Sequence, residues 1–315
     1  MGTAAAPTTT GVVAGVDLSG RLIVITGGAG GLGLETARAL VSAGADVLIA
    51  DRREDRLDAA RRQLRAGPGR VEAFELDLAS ATSVRAFAAE LRPGPLDVLV
   101  NNAGIVSGEL HRDADGRELT IAVNFLGHFL LTGLLMPRLL GHADRARVIN
   151  LSSGAHRDSP IRFDDVHYRR RAYDPREAYA QSKSATALFS LALTRRVAAL
   201  GVDAFTVRPA KADTGIFAAL TDTARARFSS RVNAGQSGAP LEVAAATTVW
   251  AAVAPELSGR SGAYLSGGAV AGEPGAAPGS GDYADWIFDP AAADRLWSLA
   301  EDEVGERFSW NEEAP

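Results

Sequence analysis

The stretch Tyr179-Ala180-Gln181-Ser182-Lys183 holds a phenol and an ammonium four residues apart. On a helix that spacing puts both on one face, a turn from each other. A tyrosine titrates near ~10 in water, too high to trade protons well at neutral pH. A cation about 4 Å away at an effective dielectric of ~20 is worth roughly 4 kcal/mol, enough to bring that pKa well down. The pair is then a poised acid–base. The same spacing also describes two neighbours on a solvated helix, so the pair needs company before it means chemistry. One fact of composition favours the chemical reading. Lysine and arginine total 33, and only Lys183 and Lys211 are lysines. A chain that uses Arg almost everywhere keeps Lys where a compact ammonium is needed in place of a planar fork.

The bulk numbers narrow what such a pair can serve. The chain has 315 residues, 46% hydrophobic and 23% charged, as in an ordinary globular protein. A net charge of −5 and no basic stripe argue against a nucleic-acid surface. There is no cysteine, which excludes disulfides, thiolate metal sites and cysteine nucleophiles. The five histidines, His111, His128, His142, His156 and His167, have no metal-ligand spacing. Residues 1–16 read as a loose arm and not as a signal peptide. Ile121 to Leu140 is apolar but carries Asn124, His128 and Arg138, so it reads as a buried helix and not a membrane span. A cytoplasmic protein is the expectation.

The elements that must position the pair follow from the alternation of the chain. Leu22 to Ile25 is a short apolar run suited to a buried parallel strand. Thr26-Gly27-Gly28-Ala29-Gly30-Gly31-Leu32-Gly33 follows at once, and then a helical pattern to Ala43. Strand, glycine turn and helix together make a dinucleotide site: the backbone approaches a pyrophosphate, and the helix N-terminus offers free N–H groups. A second strand, Val47 to Ala50, ends in Asp51-Arg52-Arg53. Asp51 lies 18 residues past Gly33, where a carboxylate accepts from an adenosine ribose and repels a 2′-phosphate. That favours NAD, while Arg52 and Arg53 pull toward NADP.

Further strands are expected at Val71 to Glu75, Leu96 to Val100, Arg147 to Leu151 and Asp203 to Val207, with helices between them. The predicted fold is α/β: a single doubly wound, Rossmann-type parallel sheet with helices on both faces. The glycine turn, Asp51, Asp77, Asn101, Ser153 and Pro209 all fall at carboxyl ends of strands, where such sheets bind ligands.

On these pieces the chain resembles the short-chain dehydrogenase/reductase family: Thr26 to Gly33, Asp77, Asn101-Asn102-Ala103-Gly104, Asn124, Ser153, Tyr179 with Lys183, and Pro209 to Thr214. They span about 190 residues in the family's order. Asp115-Gly116-Arg117-Glu118, Val123 to Phe129, Ser152 to His156 and Ala293 to Trp297 narrow the resemblance to the retinol-dehydrogenase-like and WW-domain-oxidoreductase-like group. The membrane anchor of many eukaryotic members is not read here.

The resemblance implies hydride transfer between an NAD(P) cofactor and a small-molecule alcohol or carbonyl. Tyr179 would exchange a proton with the substrate oxygen and Ser153 would align that oxygen. Lys183 would lower the Tyr179 pKa and bind the nicotinamide ribose. Asn124 would hold a water in a proton relay. Gly27, Gly31, Leu32, Gly33, Asp51, Arg52, Asp77, Leu78, Asn101, Ala103, Gly104, Tyr179, Lys183, Pro209 and Thr214 would contact cofactor. NAD is favoured and NADP is possible. The residues alone leave bland alternatives: Asn124 as a polar residue at a helix kink, Asp77 as a helix cap. A regulatory protein with a vestigial site and a nicotinamide-assisted epimerase remain alternatives at this stage.

The family's Pro-Gly is Pro209-Ala210 here, and Lys211 follows, either reaching an anion or lying exposed. Ser153 to Tyr179 is roughly a dozen residues longer than in compact members, a length that points to function. The expected organisation is one catalytic domain over 17–315, with substrate loops at about 154–176 and 214–238 and a loop–helix tail at about 267–315. The arginine run Arg169-Arg170-Arg171 reads as a solvated face. In the family the two long helices, here near 116–140 and 176–200, commonly build a homodimer or homotetramer; a monomer is not excluded.

Overall fold

The computed structural model describes residues 6–65, 67–142, 144–212, 215–217, 220, 238–271 and 283–310. Eight strands form one sheet: β1 (Leu22–Thr26), β2 (Asp46–Asp51), β3 (Val71–Glu75), β4 (Val98–Asn101), β5 (Ala146–Leu151), β6 (Val202–Arg208), β7 (Tyr264–Ser266) and β8 (Ala269–Val270). The helices are α1 (Thr9–Val13), α2 (Gly31–Ser42), α3 (Glu54–Leu64), α4 (Ala81–Glu90), α5 (Leu119–Ile121), α6 (Gly127–Leu140), α7 (Pro175–Val197), α8 (Leu241–Ala244), α9 (Ala246–Val253) and α10 (Pro290–Val304).

The sheet order is β3-β2-β1-β4-β5-β6-β7-β8. All neighbours are parallel except β7 with β8. The chain grows the sheet outward from β1 to β3, then returns to place β4 on the other side of β1. The crevice beyond the carboxyl ends of β1 and β4 is therefore the topological switch point, where a ligand finds room between diverging loops.

Two cores explain why β1 is apolar on both faces. Leu22 and Val24 pack with residues of α4, α6 and α7. Ile23 and Ile25 pack on the opposite face with residues of α2, α3 and α9. Alternate side chains on a strand leave by opposite faces, so a strand covered twice must be apolar throughout.

The expected long helix near Gly116–Leu140 starts at Leu119, capped by the Glu118 carboxylate, which accepts from the backbone of Thr120 and Ile121. Between α5 and α6 the chain makes a π turn over Ala122–Leu126, and the Gly127 N–H reaches back to Ala122 O. Most of this segment's apolar surface is buried inside the fold. Its outer side meets an aromatic cluster. Phe129 lies with ring centroids 4.9 Å from Trp297 and 5.6 Å from Phe308. A Cβ on Gly133 would stand 2.3 Å from the Phe308 ring.

The arm expected to be loose carries α1, with Thr9 and Val13 buried. Val13 belongs to the apolar core shared by α2 and α9. Its Thr and Gly composition hid a docked helix, because burial of two side chains outweighs weak helix propensity over so short a stretch. Strands β7 and β8 extend the sheet beyond the six read from sequence. At three and two residues they are too short to show a pattern.

At the amino ends of the strands, charges are paired. Asp97 accepts from Arg21 at 2.7 Å and from the Leu22 backbone at 2.7 Å. Asp203 is fully buried and accepts from the Nη2 and Nε edge of the Arg145 guanidinium, at 2.6 and 3.0 Å, and from the Gly259 N–H at 2.8 Å.

Candidate active site

The glycine turn is shaped by positions that admit no side chain. Gly27 sits at φ +63°, and a Cβ on Gly33 would stand 2.3 Å from Gly27 O. Gly31 opens α2, followed by Leu32 and Gly33 in its first turn. No side chain caps that helix end, and the Gly30 position faces open space. A phosphate group fits such an end. Asp51 ends β2 half-buried, accepting the Arg53 N–H at 3.2 Å. The Arg53 guanidinium grips Asp55 at 2.6 and 3.0 Å, while Arg52 is exposed. Asp77 accepts from the Ala79 N–H at 2.9 Å; the cap of α4 is Ser80, which leaves Asp77 at the mouth. Leu78 is buried beneath it, against Gly127.

The strand end Asn101-Asn102-Ala103-Gly104 divides its work. The Asn101 side chain is turned into the fold, donating to Thr132 at 3.0 Å and Asn150 at 2.8 Å. These bonds tie β4 to β5 and α6. Asn102 Nδ2 donates to Thr26 O at 2.7 Å and Gly27 O at 3.2 Å, bracing the glycine turn. Ala103 and Gly104 are half-buried at the crevice. A Cβ on Gly104 would stand 3.4 Å from Asn124 Oδ1 and 3.5 Å from Lys183 Nζ, so this glycine keeps the approach to both groups open.

Tyr179 and Lys183 lie in α7, which Asp174 caps and Pro175 begins. Both are buried, with Tyr179 6% and Lys183 4% exposed. Lys183 Nζ donates to Leu151 O at 2.9 Å and stands 5.6 Å from the Tyr179 ring centre. Burial pushes the Tyr179 phenol up to about 12, opposed by a hydrogen bond with Ser153. Burial likewise pushes the Lys183 ammonium down to about 8. The sequence led us to expect a lowered phenol. Desolvation wins instead, because the ammonium is directed at a carbonyl on β5 and both groups have left water. Ser153 leads from β5 into a 3-10 turn, its hydroxyl accepting from the Ala155 N–H at 3.2 Å.

Asn124 sits in the π turn. Its side chain clamps Ile105 by both backbone groups, Oδ1 at 2.8 Å and Nδ2 at 3.0 Å, and donates to Ser182 Oγ at 3.0 Å. Asn124 thus satisfies backbone groups at the helix kink, as one of the two readings from sequence had it. Apolar side chains surround the phenol: Val106, Ala155 and Leu220 are buried against Tyr179, with Ile216 and Phe217 packed on them. Pro209 is half-buried beyond β6, and the Lys211 carbonyl accepts from the Ala239 N–H at 2.7 Å. Thr214 and most of the substrate loop expected at about 214–238 lie outside the described residues, as does 272–282 of the tail.

The extended segment after Ser153 is anchored internally. Asp165 accepts from the backbone N–H groups of Arg169, Arg170 and Arg171. Arg171 stacks over the Tyr168 ring at 3.8 Å, while Arg169 and Arg170 are exposed, as a solvated face requires. Tyr173 donates to Ser107 O and to Glu118, pinning the segment to the turn that opens α5. Tyr173 falls within the substrate loop expected at about 154–176, whereas sequence reasoning missed His128 and Ser182; a serine between a tyrosine and a lysine carries no signal of its own.

Comparison with known proteins fits this geometry. A sequence profile described as short chain dehydrogenase matches residues 21–225. The chain belongs to the short-chain dehydrogenase family. A Streptomyces antibioticus protein named "Probable oxidoreductase" is 42% identical over 298 residues, 91% of this chain and 98% of the relative. Human retinol dehydrogenase 13 is 36% identical over 262 residues, 79% of this chain and 77% of the relative. Within the family this short-chain dehydrogenase therefore stands with the retinol-dehydrogenase-like group. Its fold is shared with a solved uncharacterized protein from Mycobacterium paratuberculosis, at TM-score 0.72 and 33% identity over 94% of this chain and 97% of that one. Pseudomonas aeruginosa RhlG, solved as an NADP active-site complex, superposes at TM-score 0.63 and 26% identity over 79% of this chain and 95% of that one.

Proposed function

We propose that the protein interconverts an alcohol and a ketone or aldehyde with a nicotinamide cofactor, Tyr179 exchanging the proton. The observation that carries this reading is the Tyr179 phenol, hydrogen-bonded with Ser153 and enclosed by Val106, Ala155, Ile216, Phe217 and Leu220. A phenol kept protonated by burial is a proton donor, and a serine beside it holds the receiving oxygen. The apolar surround suits a moderately large, largely apolar substrate.

The cradle for the cofactor is Gly27, Gly31, Leu32 and Gly33 for phosphate, Asp51, Asp77 and Leu78 for the adenosine end, and Ala103, Gly104, Lys183 and Pro209 nearer the reacting centre. When bound, a nicotinamide supplies or accepts the hydride. Asp51 favours NAD, and the Arg53–Asp55 pair supports that preference by occupying one of the two arginines able to grip a 2′-phosphate. Lys183 keeps a positive charge close to the phenol whenever it is protonated. The test is nicotinamide absorbance over a panel of apolar ketones, aldehydes and secondary alcohols with each cofactor, and Tyr179→Phe as control. Full activity in that variant overturns the proposal.

A further inference from the structure

His128 is a buried imidazole that the proposed chemistry does not use. Its Nδ1 lies 3.1 Å from Asn124 O, and its Nε2 lies 2.8 Å from Thr26 Oγ1. A carbonyl only accepts, so Nδ1 carries the hydrogen. Nε2 is then the acceptor of a neutral ring, and the Thr26 hydroxyl donates to it. The Thr26 oxygen in turn accepts from the backbone N–H groups of Asn102 and Ala103, each at 3.0 Å.

On the other side, Asn124 Nδ2 donates to Ser182 Oγ at 3.0 Å, and Ser182 donates to Tyr179 O at 2.7 Å. Two runs meet at Asn124: one passes from the N–H groups of Asn102 and Ala103 through Thr26 and His128 to its backbone carbonyl, and the other from its side-chain amide through Ser182 to the backbone of the tyrosine. The ring is 3% exposed. Burial drives it toward the neutral form, to about 4, and the Lys183 ammonium pushes the same way. A second proton would place a donor against the Thr26 hydroxyl and reverse that end of the chain.

We propose that His128 is a positioning residue: as the neutral Nδ1–H tautomer it sets the cofactor-cradling ends of β1 and β4 in register with the helix that carries Tyr179 and Lys183. The proposal rests on the oxidoreductase reading above. Buried hydrogen-bond networks are worth more than their separate bonds and specify one arrangement. Two strand ends and a helix that drift relative to one another separate the hydride from the proton while leaving substrate contacts in place.

The test joins kinetics with spectroscopy. His128→Leu removes both bonds, and His128→Gln retains a donor and an acceptor. With an aromatic ketone as probe, kcat of His128→Leu should fall about tenfold or more, with KM and thermal midpoint nearly held and part of the rate restored in His128→Gln. An unchanged kcat overturns the proposal. So does a kcat loss that tracks the loss of thermal midpoint and is not relieved in His128→Gln, since that is a merely structural role. Nitrogen NMR of the wild-type ring, without cofactor or turnover, should show Nδ1 protonated and Nε2 bare at pH 7. The opposite tautomer or a doubly protonated ring overturns the proposal even if His128→Leu does not fold. Failure of the oxidoreductase reading shows separately, as a wild-type protein without turnover.

Discussion

The two edges of the sheet treat charge in opposite ways. At the amino ends of the strands a buried carboxylate, Asp203, accepts two bonds from one edge of the Arg145 guanidinium and one from a backbone N–H. At the carboxyl ends a buried ammonium, Lys183, meets a neutral carbonyl, and a buried phenol and a buried imidazole lie beside it. One edge satisfies its charges and holds the fold. The other holds ionisable groups away from water at a cost in stability, which shifts their titration. Substitutions at the two edges should therefore separate stability from turnover.

The largest effect expected is at the carboxyl edge. Tyr179→Phe should cut kcat by about 10³-fold or more, the scale of a lost acid–base group, with little change in thermal midpoint by calorimetry. Its counterpart at the amino edge is Asp203→Ala. Leaving the Arg145 side without its partner should cost about 3 kcal/mol in denaturant unfolding while kcat of the folded protein is kept. If Asp203→Ala abolished turnover in folded protein, or Tyr179→Phe unfolded the chain, the contrast between the edges would fail.

Acid should sharpen the same contrast. The unfolded His128 ring takes a proton near 6.5 and the folded ring near 4, so between those values the unfolded chain binds more protons. Stability contributed by the neutral ring is complete above pH 6.5 and is lost as pH falls through 4, by up to about 3 kcal/mol. Urea unfolding at a series of pH values should show this slope in the wild type, and it should flatten in His128→Leu. The smallest effect on stability is at Lys183. Replacing it with Met removes a buried charge and one hydrogen bond, and the balance should favour the variant by about 1 kcal/mol while turnover disappears. A destabilised Lys183→Met would show that the ammonium is as well satisfied as Arg145.

Much of this was legible in the sequence, for identifiable reasons. The parallel sheet follows from apolar runs alternating with helical spacing, and the glycine turn follows from a strand that ends where a helix begins. Tyr179 with Lys183 stand out as one face of a helix and Ser153 as a strand end, while Asn124 is marked only through the family resemblance. What sequence did not show are quantities set by burial. The direction of the Tyr179 shift depends on where Lys183 points. The inward turn of Asn101 depends on Thr132 and Asn150, far along the chain. His128 was not read as a positioning residue, since a lone histidine in an apolar helix carries no mark of the tautomer its neighbours impose.

The lysine-poor composition has a practical consequence for chemical labelling. Lys183 and Lys211 are the only two side-chain amines in the sequence. A lysine titrating at about 8 holds a sizeable share of free amine at mildly basic pH. An amine-selective acylating probe small enough to enter the crevice should thus read the surroundings of Lys183 almost without background. Protection of that one amine by added dinucleotide would report occupancy of the crevice directly, in a protein where most such reagents find almost nothing else to modify.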